Sequence, residues 1–372
     1  MWFLFSDDYI LKSKNSDGWS CLMNACKNGD IKLIKYILNH DKFTPDIFYL
    51  KNKEGDTALM IACRYNLQAV QYILNHNKFT SDMFDVTNNY GRTMLAFAVK
   101  NCNTISYILN HDAFSSEMFN TKDDEGFTPL MIACRYNNYA VPYILNHEKF
   151  TSDMLDIKSH NQNTALMICC IFNNVQSAKY ILNHHKFTPD MFNTKNQNGV
   201  TVLMVACQYN YKIVKYILNH NKFTPDMLNI RSNHGFTALM VACYCDWQIV
   251  EYILDHDKFT SDMLDVKNND GWTALMVACQ HINNYDLIKK IIDKCSLNTL
   301  QTKCNKFNIK FIDEFNCVDP MKQYVKNAGQ TFLHILAIFQ PALFCKIKNL
   351  VDLELLNITD NSGLVCSHYL SF

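Results

Sequence analysis

Residues 200–233 read VTVLMVACQYNYKIVKYILNHNKFTPDMLNIRSN, and this stretch decides the fold. Thr201 stands where a hydroxyl can cap a helix, and Leu203, Ala206 and Cys207 follow at the i, i+3, i+4 spacing of one helical face. Asn210 sits where that helix should stop, since asparagine tolerates the left-handed backbone needed to turn back. Val214, Ile217 and Leu218 repeat the apolar spacing in a second helix, with Lys212 and Lys215 on the side expected to meet water. Lys-Phe-Thr-Pro-Asp-Met then predicts one extra helical turn. Thr224 can cap it, Pro225 suits the first helical position, Asp226 complements the dipole, and Phe223 and Met227 anchor it. Ile230 to Gly235 is polar and ends in Asn-His-Gly, turn chemistry that predicts a hairpin-like finger at right angles to the helices.

The same reading recurs along the chain. The capping residue stands at Ser20, Thr57, Thr93, Thr128, Thr164, Thr201, Thr237 and Thr273, at intervals of 35 to 37 residues, with a weaker copy at Thr331 and a fragment from Gly363 to Phe372. A period of this size means short units that bury their apolar faces on their neighbours. The predicted fold class is an all-α repeat solenoid of helix pairs with projecting fingers, forming one elongated body. Residues 1–295 are predicted to form an array of about eight copies, 296–328 a non-repeat insert, and 329–372 a divergent C-terminal repeat and cap.

Lysine plus arginine equals aspartate plus glutamate at 35 each, so no long-range field favours phosphate backbones or anionic membranes. No stretch approaches the roughly 18 apolar residues of a membrane span, and the opening Met-Trp-Phe-Leu-Phe is too short and lacks the basic flank of a secretory signal. The expectations are therefore no nucleic acid, no membrane and a cytoplasmic, intracellular location. Cys26, Cys63, Cys134, Cys170, Cys207, Cys243 and Cys279 occupy one repeat position inside a buried helix, which reads as reduced thiols packed as small apolar groups.

Gly126-Phe127-Thr128-Pro129-Leu130-Met131-Ile132-Ala133-Cys134, followed by a turn, a Val-x-Tyr-Ile-Leu helix and a finger, resembles the ankyrin repeat, whose signature begins Gly-x-Thr-Pro-Leu-His-x-Ala-Ala. The resemblance covers about residues 15–295 strongly and 328–372 weakly. Methionine replaces the family's usual histidine, asparagine replaces the inter-helix glycine, and the Phe-Thr-Pro-Asp-Met turn lengthens the unit. The asparagine-rich style is similar to the expanded ankyrin families of amoeba-infecting giant viruses, for which the location would be the host cytoplasm. Membership implies a right-handed superhelix whose usual activity is protein recognition.

Several copies depart from the pattern. Thr93-Met94-Leu95-Ala96-Phe97-Ala98-Val99 loses the cysteine but keeps size and polarity. Pro142 falls in a second helix and predicts a short or kinked one. Asn161-Gln162-Asn163 replaces the glycine of the finger, predicting a weaker turn. After His281 regularity fails, and the apolar residues Phe307, Ile309, Phe311, Ile312 and Phe315 predict that the insert packs partly on the array.

His40, His76, His111, His147, His184, His220 and His256 form a ladder at the ends of second helices. Neighbouring helices lie about 8–10 Å apart whereas one metal needs ligands at about 2 Å, so these imidazoles are expected to bind the last helical carbonyls instead. The cysteine ladder meets the same objection. Cys295, Cys304 and Cys317 with His281 lack a C-x-x-C knuckle. No hydrolase, metalloprotease or nucleotide-binding motif occurs, so no catalytic site, metal or cofactor is expected.

The residue before each capping threonine varies while the core does not: Trp19, Asp56, Arg92, Phe127, Asn163, Val200, Phe236 and Trp272, each read as a finger tip. Tyr65, Tyr136, Phe172, Tyr209 and Tyr244 follow the first-helix core and should share the same concave side. Aromatics and arginine dominate binding hot spots, although tyrosines there can equally pack between copies. The partner-binding set predicted is Trp19, Tyr65, Arg92, Phe127, Tyr136, Phe172, Tyr209, Phe236, Tyr244 and Trp272. The function expected is non-catalytic protein binding by a monomer, over an interface of about 1,600 Å². The alternative is an adaptor whose insert contacts a second partner such as ubiquitin-ligase machinery.

Overall fold

The computed structural model describes residues 11–304 and 329–371. The chain folds as two compact units, Met1–Phe187 and Thr188–Phe372. In the first unit the helix pairs are Cys21–Asn28 with Ile31–Leu38, Ala58–Tyr65 with Leu67–Leu74, Met94–Ala98 with Cys102–Leu109, Pro129–Tyr136 with Val141–Leu145, and Ala165–Ile171 with Val175–Leu182. The predicted extra turn is a 3₁₀ turn after the second helix, as at Pro45–Tyr49 and Ser81–Phe84. First helices pack on first helices of the next copy, and second on second. Leu59, Met60, Ala62 and Cys63 meet Val70, Ile73 and Leu74 in the core, each no more than 4% exposed.

A reciprocal cap starts the first helices at Ser20 and Thr57. The Thr57 hydroxyl accepts from the Met60 N–H at 3.3 Å, and the Met60 thioether accepts from the Thr57 N–H at 3.4 Å, so sulfur takes the place of the usual carboxylate in a capping box. Thr128, Thr164, Thr237 and Thr273 accept from the methionine N–H three residues on in the same way. Thr201, expected to cap, makes no side-chain cap bond.

The inter-helix asparagines do not work as expected. Asn66, Asn137 and Asn210 have φ of −151°, −153° and −156°, an extended backbone, and Asn101 has −133°. Only Asn173 enters the left-handed region, at 56°, and after Asn28 the neighbouring Gly29 does so at 70°. The extended conformation prevails because it lets the carboxamide cap the second helix. Asn66 Oδ1 accepts from Ala69 N–H at 3.0 Å and Asn210 Oδ1 from Ile213 N–H at 3.0 Å. The amide end reaches back one copy, with Asn137 Nδ2 donating to the Val99 carbonyl at 2.9 Å and Asn174 Nδ2 to the Cys134 carbonyl at 2.9 Å. Asn174, whose Oδ1 accepts from the Ser177 N–H, thus starts its own helix and satisfies the open end of its neighbour's with one side chain.

His76 and His147 do bind helix-end carbonyls, but those of the preceding copy, whereas His256 Nε2 meets the Asn219 side chain at 3.4 Å and His184 Nε2 has no hydrogen-bond partner among the described residues. His76 Nδ1 accepts from the Lys78 N–H at 3.2 Å, and Nε2 lies 2.9 Å from the Leu38 carbonyl. His147 bonds the Lys149 N–H and the Leu109 carbonyl likewise. An acceptor Nδ1 opposite a carbonyl-facing Nε2 requires the neutral Nε2–H tautomer. The extra turn supplies an aromatic seat for this ring: Phe43 and Phe48 meet edge-on at 5.0 Å between centres, and His76 of the next copy lies 5.1 and 5.7 Å from them. Lys149 and Lys186 add a bond each to the carbonyl of the preceding Phe114 and Phe150.

The second unit repeats the scheme with Val202–Tyr209 and Tyr211–Leu218, Ala238–Cys245 and Trp247–Leu254, and Ala274–His281 and Tyr285–Lys294. Leu203, Ala206, Cys207, Val214, Ile217 and Leu218 are buried, with Lys212 exposed. Ser296 and Thr299, at the short helix Leu297–Gln301, both donate to Asp265. Cys304 pairs through backbone bonds with Gly329 and Gln330, and Phe332–Phe339 then packs on Ala274–His281, with Gln340 Nε2 donating to the Cys279 carbonyl at 3.0 Å. The short 3₁₀ helix Cys366–Ser371 packs on Phe332–Phe339. The apolar run expected to dock from Phe307 to Phe315 lies outside the described residues. No strand occurs among the described residues, and none of their helices is long and apolar enough to cross a membrane.

Candidate functional site

Within each unit the fingers are tight turns stacked one on the next. The Asn196 N–H bonds the Val200 carbonyl, Gly199 takes φ 72°, and Asn196 Oδ1 accepts from the N–H groups of Asn198 and Val200 at 3.0 Å. The next finger's Asn233 N–H donates to the Asn198 carbonyl at 3.0 Å, and its Nδ2 to the Gln197 carbonyl at 3.0 Å. The apex is therefore the pair before the glycine, as in Lys53-Glu54 or Gln197-Asn198. Gln162, replacing glycine in its copy, adopts the same left-handed conformation at φ 60°.

This geometry relocates the residues read as finger tips. The position before the capping threonine lies past the apex, where its N–H and carbonyl close the turn and its side chain points inward. Phe127, Phe236 and Trp272 are accordingly buried, at 9%, 5% and 6% exposure, as are Asp56 and Val200. Arg92 is partly buried and its Nε lies 3.1 Å from the buried Asp123 carboxylate. Trp19 is half-buried under the Lys27 ammonium, 4.9 Å from the ring centre.

The first-helix aromatics are another matter. Tyr65 and Tyr136 are each 50% exposed, Tyr209 43% and Phe172 40%. Tyr244 is partly buried and meets His281 at 4.4 Å. Within the first unit the structure brings several of the expected residues together around cations. The Arg135 guanidinium lies 4.5 Å from the Phe172 ring centre, 5.0 Å from Tyr136 and 5.8 Å from Phe127. Arg64 lies 4.6 Å over Phe97 of the following copy, and Lys100 4.8 Å over Tyr136. Glu125 pairs with Arg135 at 3.4 Å and Arg92 at 3.8 Å. Burial, together with Arg64, Arg92 and Arg135, pushes the Lys100 amine below its ordinary value.

A family model described as ankyrin repeats (three copies) matches residues 2–83, 80–154, 150–227 and 225–302. The chain belongs to the ankyrin repeat family. It is an all-α repeat solenoid, and ankyrin repeats are protein–protein interaction modules. No curated protein matched it in comparison.

Two features of this ankyrin array escaped sequence reasoning. Lys27, Arg64, Lys100 and Arg135 occupy one register, the seventh residue after the cap, a signal visible once the copies are aligned. The second helices also expose Tyr36, Tyr143, Tyr216 and Trp247 on a different face, and Tyr139 is exposed in the turn before one of them. There the Tyr-Ile-Leu tyrosine is the same in most copies, and two of these hydroxyls receive bonds from the preceding helix end, Asn75 to Tyr107 and Asn219 to Tyr252. Buried thiols line the first helices, and burial pushes the Cys26 thiol up to about 12.

Proposed function

We propose that this ankyrin array binds a protein partner through its concave face, made by the first helices and the fingers. The observation that supports the reading is the row of half-exposed Tyr65, Tyr136 and Phe172, held by stacked cations beside positions that are fully buried. Large rings fixed in place before contact lose little freedom on binding and exclude much water. Trp19 and Arg92 extend the surface in the first unit, and Tyr209 and Tyr244 offer their own rings in the second. Phe127 is buried in the first unit and Phe236 and Trp272 in the second, so alanine at any of them would report on folding as much as on contact.

The discriminating variant is Tyr65→Ala with Tyr136→Ala and Phe172→Ala. Capture from a native lysate by this protein is expected to fall about ten-fold for the specific partner, while circular dichroism stays unchanged. Equal capture by both proteins would place the binding face elsewhere.

A further inference from the structure

The first four copies carry a cation at the seventh residue after the cap, Lys27, Arg64, Lys100 and Arg135, whereas the next four carry Ile171, Gln208, Tyr244 and Gln280. A chain with no net charge thus concentrates positive charge on one face of its first unit. Lys27, Arg64 and Lys100 make no ion pair among the described residues, and only Arg135 has a carboxylate nearby, that of Glu125. Arg64, Lys100 and Arg135 each stack on a ring of the following copy, which fixes their positions in a row. Their mutual repulsion is felt at Lys100, and an arriving anion would relieve it.

Resting on the binding role proposed above, we infer that the partner contacts the first unit through an extended acidic peptide segment. Neighbouring helices lie about 8–10 Å apart, and an extended chain in the polyproline II form rises about 3.1 Å per residue with about three residues per turn, so carboxylates three residues apart point the same way and meet successive cations. The intervening apolar side chains would lie on Tyr65, Tyr136 and Phe172. A polyphosphate backbone fits less well. The finger row beside the cations carries exposed Asp17, Glu54, Asp124 and Glu125, and these would repel a continuous anion, while separate carboxylates can pass between them.

The test is to pan a random dodecamer peptide library against the full chain and against its R64E/K100E/R135E and R64Q/K100Q/R135Q variants, each checked by circular dichroism. Peptides selected on the native chain should be enriched in Asp and Glu. A labelled acidic dodecamer from that selection should bind about ten-fold more weakly to the glutamine variant, and more weakly still to the glutamate variant. Raising salt should weaken the native contact and leave the residual binding of the variants little changed. Selected peptides without acidic bias, or affinity indifferent to both triple variants, would overturn the inference. If such peptides still lost affinity on Tyr65→Ala with Tyr136→Ala and Phe172→Ala, the binding face would stand and only its acidic partner would fall. Tighter binding of a single-stranded oligonucleotide than of any acidic peptide, abolished by the same charge reversals, would assign the row to nucleic acid and overturn the inference too.

Discussion

Gly199 meets two demands, and they can be separated by experiment. Its φ of 72° disfavours any side chain, and a Cβ would fall 2.6 Å from the backbone nitrogen of Asn233 in the next finger. Gly363 has φ 76° with nothing within 4 Å of such a Cβ. Gly199→Ala should therefore cost about 2 kcal/mol and Gly363→Ala about 1 kcal/mol, the difference measuring finger stacking in urea unfolding. A second residue-scale prediction concerns His334, where the family's usual histidine returns in place of methionine. Its Nδ1 accepts from the Thr331 N–H at 3.2 Å and its Nε2 lies 3.0 Å from the Leu364 carbonyl. Burial, reinforced by Lys303, holds this imidazole below its ordinary 6.5, against the opposing pull of the Leu364 carbonyl and Asp360. A depressed folded value means the unfolded chain takes up the proton first. Stability is full above pH 6.5 and is lost as pH falls through the folded value. Hydrogen-exchange protection across 332–371, corrected for the intrinsic rates, should fall as pH drops from 6.5 towards the folded value, and His334→Met, which restores the thioether cap of the other copies, should remove most of the effect.

At the scale of the element, Pro142 explains why one second helix differs. Val141–Leu145 has five residues where Leu67–Leu74 has eight, because proline lacks the N–H that would bond back one turn and its ring crowds the preceding carbonyl. Pro142→Gln, matching Gln71 of an earlier copy, should lengthen the helix toward Asn137 and stabilise the chain by about 1 kcal/mol. Thermal unfolding and exchange protection of residues 139–142 would check it, and an unchanged helix with a lowered midpoint would refute the assignment. The short helix was legible in the sequence, since the effect of proline is local. The role of the inter-helix asparagine was not, because an extended cap and a left-handed turn both suit asparagine; the choice follows from a carbonyl of the preceding copy that the carboxamide can reach.

At the scale of the molecule, an array holds each copy by its neighbours, so an end copy matters out of proportion to its size. Helix Phe332–Phe339 buries Phe332, Leu333, Ile335 and Leu336 in a unit where it packs on Ala274–His281. A chain ending at residue 302 would leave that last first helix uncovered. It should bind more of a hydrophobic dye and melt roughly 3 °C lower; unchanged dye binding would show that the terminal copy does not protect the array.

The amino-acid order by itself determined the period, the helix pairs, the buried Leu-Met-x-Ala-Cys stripe and the polar turns, because spacing and turn chemistry act within a few residues. It also marked Tyr65, Tyr136, Phe172 and Tyr209 as exposed rings, since a residue just past the core stripe of a helix must face outward. Only the tertiary structure decided that Phe127, Phe236 and Trp272 turn inward, that His76 and His147 serve the previous copy's carbonyls, and that Arg64, Lys100 and Arg135 stack on rings one copy on. Those outcomes depend on groups about one repeat apart in sequence, which come within bonding distance only once the copies have stacked.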